Sequence, residues 1–202
     1  MPRKPMYNEG TKNKMIEVAS KRFFQYGFDG TSIRSIVDEV GCEVGLFYYY
    51  YKTKDDIFTD VLESFFEPYK KDFQMLVTET KSRPNKALYM FFSYMKEKVR
   101  EFREKYADNI HRTVRWAIRE QTLTVIEPYL KEIIDILISY GAKPKMDSKL
   151  MSVFLSHGVG SIILHEDIDW VESVTDEVRR NINIIMGLDE KTSEKMFSES
   201  EK

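Results

Sequence analysis

TSIRSIVDEVGCEVGLFYYYYKTKDDIF, residues 31–58, decides how the rest of the chain is read. Ile33, Ile36, Val37 and Val40 recur at helical spacing, and Gly41 ends the run. Thr31 is the expected N-cap of this helix. After a short turn a second helix is expected from about Glu43 to Tyr50. Two short helices joined in this way fit a helix-turn-helix, whose second helix enters the major groove of DNA. Steps of about 100° put Phe47 and Tyr51 toward the first helix, with Val44, Gly45, Tyr48 and Tyr49 on the outer face. Gly45 lets the backbone approach a base edge or phosphate closely. Tyrosine hydroxyls can donate to phosphate oxygens. Thr53 and Asp56 are spaced as a capping box, and Lys54 adds positive charge at the same helix start. Spacing alone leaves the alternative open, because tyrosines at helical spacing also serve as packing.

The surrounding composition narrows the class. The chain has 202 residues, 42% hydrophobic and 32% charged, enough apolar material for a real core. One cysteine excludes an internal disulfide framework and fits a reducing compartment. No run reaches the ~18–20 apolar residues of a membrane span, and no apolar segment follows the basic start MPRKPMYNEG. A soluble cytoplasmic protein is therefore expected, with no membrane partner. Net charge is −2, yet residues 1–54 hold nine Lys or Arg against six Asp or Glu. A basic lobe on an acidic body suits a local nucleic-acid contact and not a coat of nucleic acid over the whole surface.

The apolar spacing is helical from end to end, so the expected fold class is all-α. Ile16, Ala19 and Phe23 define a first helix stopped by Gly27. Ile57, Val61, Phe65, Tyr69, Phe73 and Leu76 define a long one, which Pro68 is expected to kink or break. A turn at 81–85 precedes the stripe Leu88, Phe91, Met95, Val99, Phe102 and Tyr106. The next stripe runs from Ile126 through Leu130, Ile133 and Leu137 to Tyr140, with Pro128 as a candidate first turn. Asp147 should cap a helix reaching roughly Leu164, and Val171, Val174, Val178, Ile182 and Ile185 mark the last helix before Gly187. Residues 189–202 are polar and expected to be disordered.

Residues 1–58 resemble the DNA-binding domain of the tetracycline-repressor (TetR) family of bacterial regulators. The resemblance is carried by Ile16, Ala19, Phe23, Gly27, Phe28, Thr31, Ser32, Ile33, Ile36, Gly41, Gly45, Tyr48, Lys54, Ile57 and Phe58. It implies an N-terminal three-helix helix-turn-helix domain, here 1–54, and a C-terminal helical domain for ligand binding and dimerisation, here 55–188. It implies that Thr31, Tyr48, Tyr49 and Lys54 contact phosphates, and that Arg34, Val44 and Gly45 lie at base edges. Leu46 stands where the family has a small hydroxyl residue, Glu43 where Ser is common, Tyr51 where Phe is usual and Val37 where Ala is usual. These departures bear on which operator is read. An effector pocket is also implied, and Phe65, Tyr69, Tyr89, Phe92, Met95, Trp116 and Phe154 are its candidate lining.

Cys42, in the turn before the second helix, reads as small apolar filler more than as a redox switch. His111, His157 and His165 lack metal spacing, and no catalytic triad, Walker loop or GxGxxG occurs, so no metal, cofactor or enzyme activity is expected. Helix 147–164 is apolar almost all round, which points to a homodimer through residues 147–187, with Ser156 and Gly160 letting a partner helix approach. The expected function is a ligand-responsive repressor that binds a pseudo-palindromic operator in double-stranded DNA. A small hydrophobic or aromatic effector, with a cation among the candidates because the body is acidic, would release it by moving helix 53–80. The alternative is an all-helical interaction or scaffold protein with no DNA role.

Overall fold

The structure is a computed structural model that describes residues 9–106 and 109–188, apart from the side chains of Asn85 and Tyr89. The expected disordered tail, 189–202, lies outside the described residues, as does the side chain of Tyr89. Among the described residues every regular element is helical: α1 (Glu9–Tyr26), α2 (Ile33–Val40), α3 (Val44–Tyr50), α4 (Lys54–Ser82), a 3-10 turn (Pro84–Lys86), α5 (Ala87–Tyr106), α6 (Arg112–Ser139), α7 (Ser148–Phe154), a π-helical turn (Leu155–Val159), α8 (Gly160–Ile163) and α9 (Ile168–Met186). The all-α expectation holds.

The chain divides into two compact units, one of residues 1–67 with 105–119, the other of 68–104 with 120–202. The first unit therefore takes in more than the expected 1–54. It adds the first part of α4 and the stretch from the end of α5 into the start of α6, where Ile110, Val114 and Ile118 are buried. Its core is Met15, Val18, Ala19 and Phe23 of α1 with Ile36, Val37 and Val40 of α2, Phe47 of α3, and Ile57 and Val61 of α4. Phe23 stacks on Phe28 at 5.8 Å and meets Phe58 edge-on at 5.0 Å.

Local chemistry sets the boundaries. Ser32, not Thr31, caps α2: its hydroxyl accepts from Ser35 N at 3.0 Å, and Ser35 Oγ accepts from Ser32 N at 3.2 Å. Thr31 is drawn away because its hydroxyl donates to the Gly27 carbonyl at 2.9 Å. Gly41 closes α2 at φ 79°, a left-handed backbone that glycine adopts without a Cβ penalty. The Thr53–Asp56 box forms as expected, with Asp56 accepting from Thr53 N at 2.8 Å and Thr53 Oγ1 accepting from Asp56 N at 3.2 Å.

Neither Pro68 nor Pro128 ends its helix. Pro68 lies inside a continuous α4, at the border between the two units. Pro128 lies inside α6, which begins at Arg112 and not near Ile126. The donor a proline removes is a local loss, whereas Ile118 and Leu123 on one side and Leu130, Ile133 and Ile134 on the other are all buried. Burial on both sides of the proline keeps the helix whole.

In the second unit Asp147 caps α7, accepting from Lys149 N and Leu150 N at 3.0 Å each. The single helix expected from there to Leu164 is interrupted by the π turn, where Gly160 N–H bonds to the Leu155 carbonyl five residues back. Ser156 and Gly160, expected to admit a partner helix, face inward instead. Ser156 is fully buried, and a β-carbon on Gly160 would come within 2.9 Å of Leu123 Cδ2 on α6.

Candidate nucleic-acid interface

The seven residues of α3 divide as their spacing predicts. Phe47 is fully buried and Tyr51, just beyond the helix, nearly so, while Gly45, Tyr48 and Tyr49 are exposed and Val44 and Leu46 half-buried. Phe47 meets Tyr48 edge-on at 5.6 Å and lies 5.6 Å from the Tyr51 ring, which fixes the rotation of the helix. A β-carbon added to Gly45 would meet nothing within 4 Å. Glycine costs a helix about 1 kcal/mol relative to alanine, and nothing inside the chain requires it at this position.

The structure shows a second anchor of α3 that the sequence reading missed. Tyr51 Oη donates to Asp60 Oδ2 on α4 at 2.9 Å. Lys12 Nζ on α1 lies 2.7 Å from the same oxygen and 5.4 Å from the Tyr51 ring centroid. Burial, and then the bond to Asp60, push the Tyr51 hydroxyl above its ordinary range, so it stays protonated and donates. Tyrosine in place of the usual phenylalanine, with an acid nine residues on, was the available signal.

The remaining expected contact residues fall into two groups. Arg34 projects from α2 with its side chain mostly exposed and pairs with Asp38 at 3.5 Å, a surface pair that holds it weakly. Tyr48 and Tyr49 share the exposed face. Thr31 is the exception, since it is 1% exposed and its hydroxyl is already bonded inside the chain. It holds the turn before α2 and does not offer its side chain to a phosphate.

Lys54 has a double position. Its Nζ donates to the carbonyls of Phe28 at 2.7 Å and Thr31 at 3.0 Å and lies 4.2 Å from the Phe28 ring centroid. An ammonium has three donors, so one remains for an outside acceptor. Cys42 in the turn is half-buried, and burial pushes its thiol pKa up despite the pull of Lys14. That keeps it a thiol and not a reactive thiolate.

The candidate pocket residues are divided between the two units. Phe65 and Trp116 belong to the first unit, whereas Tyr69, Phe92, Met95 and Phe154 belong to the second. Phe65 packs its ring with Phe24 at 5.9 Å and Phe66 at 5.0 Å. Trp116 is 53% exposed, with the Arg112 guanidinium 4.2 Å from its ring centroid, and Phe154 is 48% exposed. Phe92 and Met95 line a common apolar space, together with Ile126, Leu130 and Leu155. The histidines have separate partners: His111 Nδ1 with Thr113 Oγ1 at 2.8 Å, His157 Nε2 with Glu127 at 2.8 Å, and the His165 ring with Trp170 at 4.8 Å. Among the described residues no three His, Cys, Asp or Glu side chains are grouped to hold a metal, and no helix is long and apolar enough to cross a membrane.

Residues 15–61 match the family described as bacterial regulatory proteins, tetR family. A probable HTH-type transcriptional regulator, YttP, of Bacillus subtilis (strain 168) is 28% identical over 146 residues, 67% of this chain and 66% of its own length. An uncharacterized HTH-type transcriptional regulator of Lactococcus lactis subsp. lactis is 31% identical over 67 residues, 33% of this chain and 34% of its own. The chain thus spans just under two thirds of the first relative's length and about a third of the second's. The crystal structure of E. coli NemR in its reduced form shares the fold, with a TM-score of 0.58 at 13% identity over 85% of this chain and 96% of that one.

Proposed function

We propose that this chain, whose residues 15–61 match the tetR family of bacterial regulatory proteins, is a transcriptional repressor that docks α3 in the major groove of an operator as a homodimer. Regulators of this family bind DNA and form dimers. The observation that carries the reading is the outer face of α3. Gly45 is open on the protein side, beside exposed Tyr48 and Tyr49, so its missing side chain serves something outside the chain. Val44 and Gly45 meet base edges, with Arg34 beside them. Tyr48, Tyr49 and the third donor of Lys54 meet phosphates, which set register.

Dimerisation is assigned to residues 147–187. Leu150, Phe154 and Ile184 are 54%, 48% and 61% exposed in the single chain, a set of large apolar groups that a partner copy would cover. A small apolar effector bound in the second unit releases DNA by differential affinity for two states of the dimer. α4 is suited to carry that change, since it runs unbroken from Lys54 into the second unit. The site of action is the cytoplasm, where the DNA is.

The test is selection of bound fragments from random duplex DNA, followed by titration of the recovered sequence at several salt concentrations. A pseudo-palindrome with half-sites about one helical turn apart and a steep salt dependence are expected. Failure to enrich any sequence would return the chain to the scaffold reading.

A further inference from the structure

The first two turns of α6 carry positive charge for which the fold has no use. Arg112, Arg115, Trp116 and Arg119 fall within an arc of about 100° on the helix, opposite buried Val114 and Ile118. Arg112, Trp116 and Arg119 are exposed and Arg115 is half-buried. No acid stands between His111 and Arg119. Cations at the N-terminal end of a 28-residue helix oppose its dipole, so the helix gains nothing from them. Elsewhere on the surface Arg22 pairs with Glu39, Arg34 with Asp38, Arg100 with Glu97 and Arg179 with Asp176. Among the described residues neither Arg112 nor Arg119 has a carboxylate partner. Arg112 lies instead over the exposed ring of Trp116, a residue that adds little to the core.

This face belongs to the same compact unit as α3. His111, the residue before Arg112, sets its ring beside Gly27 and donates its N–H to the Phe24 carbonyl at 2.6 Å. The turn that begins at Gly27 runs to Thr31, and Lys54 Nζ holds its Phe28 and Thr31 carbonyls. The start of α6 therefore adjoins the turn that Lys54 grips, and Lys54 meets a phosphate in the docking proposed above. From Arg112 to Arg119 the helix rises about 10 Å. One DNA strand presents a phosphate for about every 3.4 Å of axis, so the stripe spans about three of them. Arginine suits this use, because its planar fork can bond two phosphate oxygens at once.

We propose that Arg112, Arg115 and Arg119 form a second DNA contact, outside the helix-turn-helix, that takes the phosphate backbone of the duplex flanking an operator half-site. Trp116 orients the Arg112 guanidinium. The inference rests on the operator-binding reading above and adds to it a surface and the part of the DNA that the surface meets. The contact supplies affinity and no sequence preference, since every base pair carries the same phosphates. An acidic protein segment would also answer these charges. The shared unit with α3 and the adjoining Lys54 turn favour DNA.

The experiment uses the full-length protein and the selected operator as two duplexes, one ending at its half-sites and one extended at each end by about one helical turn. Anisotropy titrations at several salt concentrations give the affinity and salt slope for each. Wild type should bind the extended duplex more tightly and with the steeper slope. Arg112→Gln with Arg119→Gln should flatten the slope on the extended duplex by about one unit for each arginine that leaves a phosphate, and should leave the short duplex unchanged. Arg112→Lys with Arg119→Lys keeps the charge and should keep the slope, which damage to the fold would not. Trp170→Phe leaves Trp116 as the single tryptophan, and its emission should respond to the extended duplex and not to the short one. Equal binding of the two duplexes by wild type, or a Gln variant that binds the extended one as wild type does, would overturn the proposal and leave operator binding intact. Emission that responds to poly-L-glutamate and to neither duplex would overturn it in favour of an acidic protein partner. Failure of wild type to prefer either duplex over random DNA would overturn the operator reading and this one with it.

Discussion

The imidazole of His111 occupies the space that a β-carbon on Gly27 would need. The same turn donates His111 N–H to the Phe24 carbonyl at 2.6 Å, so the link between α5 and α6 clasps the C-terminal end of α1. Gly27 has φ 76°, and its carbonyl accepts the Thr31 hydroxyl. Thr31 in turn accepts from Lys54 at its own carbonyl. One turn therefore joins the α5–α6 link, the entry to α2 and the start of α4.

Gly27→Ala should destabilise the protein by about 1–3 kcal/mol from backbone strain alone, with a further steric cost from the His111 ring. His111→Ala in the Gly27→Ala background should recover that steric part and leave the strain. Urea denaturation of the four proteins in the cycle measures the coupling. Additive effects would mean the ring does not press on this glycine in solution.

Lys54→Ala should do two things at once. It removes two bonds that hold residues 28–31 to α4, so the thermal midpoint should fall. It also removes one phosphate contact, so the salt dependence of DNA binding should flatten by about one unit for every sequence. Calorimetry and anisotropy titrations separate the effects. A lower midpoint with an unchanged salt slope would confine Lys54 to the fold.

The dimer surface is best tested at exposed positions. Ile182 is 2% exposed, so a charge there would disrupt the single chain itself. Phe154→Glu with Ile184→Glu should instead give a folded monomer by sedimentation, with helicity retained by circular dichroism. A dimer surviving both charges would place the interface elsewhere.

Acid should weaken the start of α4. Asp56 accepts from the amides of Lys52 and Thr53, and the Thr53 amide bond is the main reason its pKa lies below the ordinary value. A carboxylate whose folded pKa is depressed contributes stability above its unfolded value, near 3.9, and loses it as pH falls through the folded one. Asp56→Asn should therefore lower stability at neutral pH and converge with wild type as pH falls through the depressed folded pKa. Thermal midpoints measured from pH 2 to 7 give the comparison.

What the sequence revealed follows from the range of each signal. The two faces of α3 were legible because 100° steps need only residue order, and Phe47 and Gly45 lie as expected. The α2 cap was misread by one residue because Thr31 and Ser32 both carry the right hydroxyl. The contact that decides between them is Thr31 with Gly27. Pro128 was misread because its local penalty is visible in sequence and the burial of Ile118, Ile126 and Leu130 around it is not. The π turn leaves no mark on a helix apolar almost all round, where shifting the period by one residue still puts an apolar group inward. The pocket lining was illegible for a related reason: aromatic content does not say that Phe65 and Trp116 fall in one unit and Phe154 in the other.

The central claim is that the outer face of α3 is shaped for DNA, and Gly45→Leu tests it most directly. The fold has open space at this position, so the variant should keep or raise the thermal midpoint. The same side chain would stand between α3 and the bases. Anisotropy titration with the selected operator should show affinity reduced at least about ten-fold, a loss of about 1.4 kcal/mol. A stable Gly45→Leu protein that binds the operator as wild type does would contradict the account.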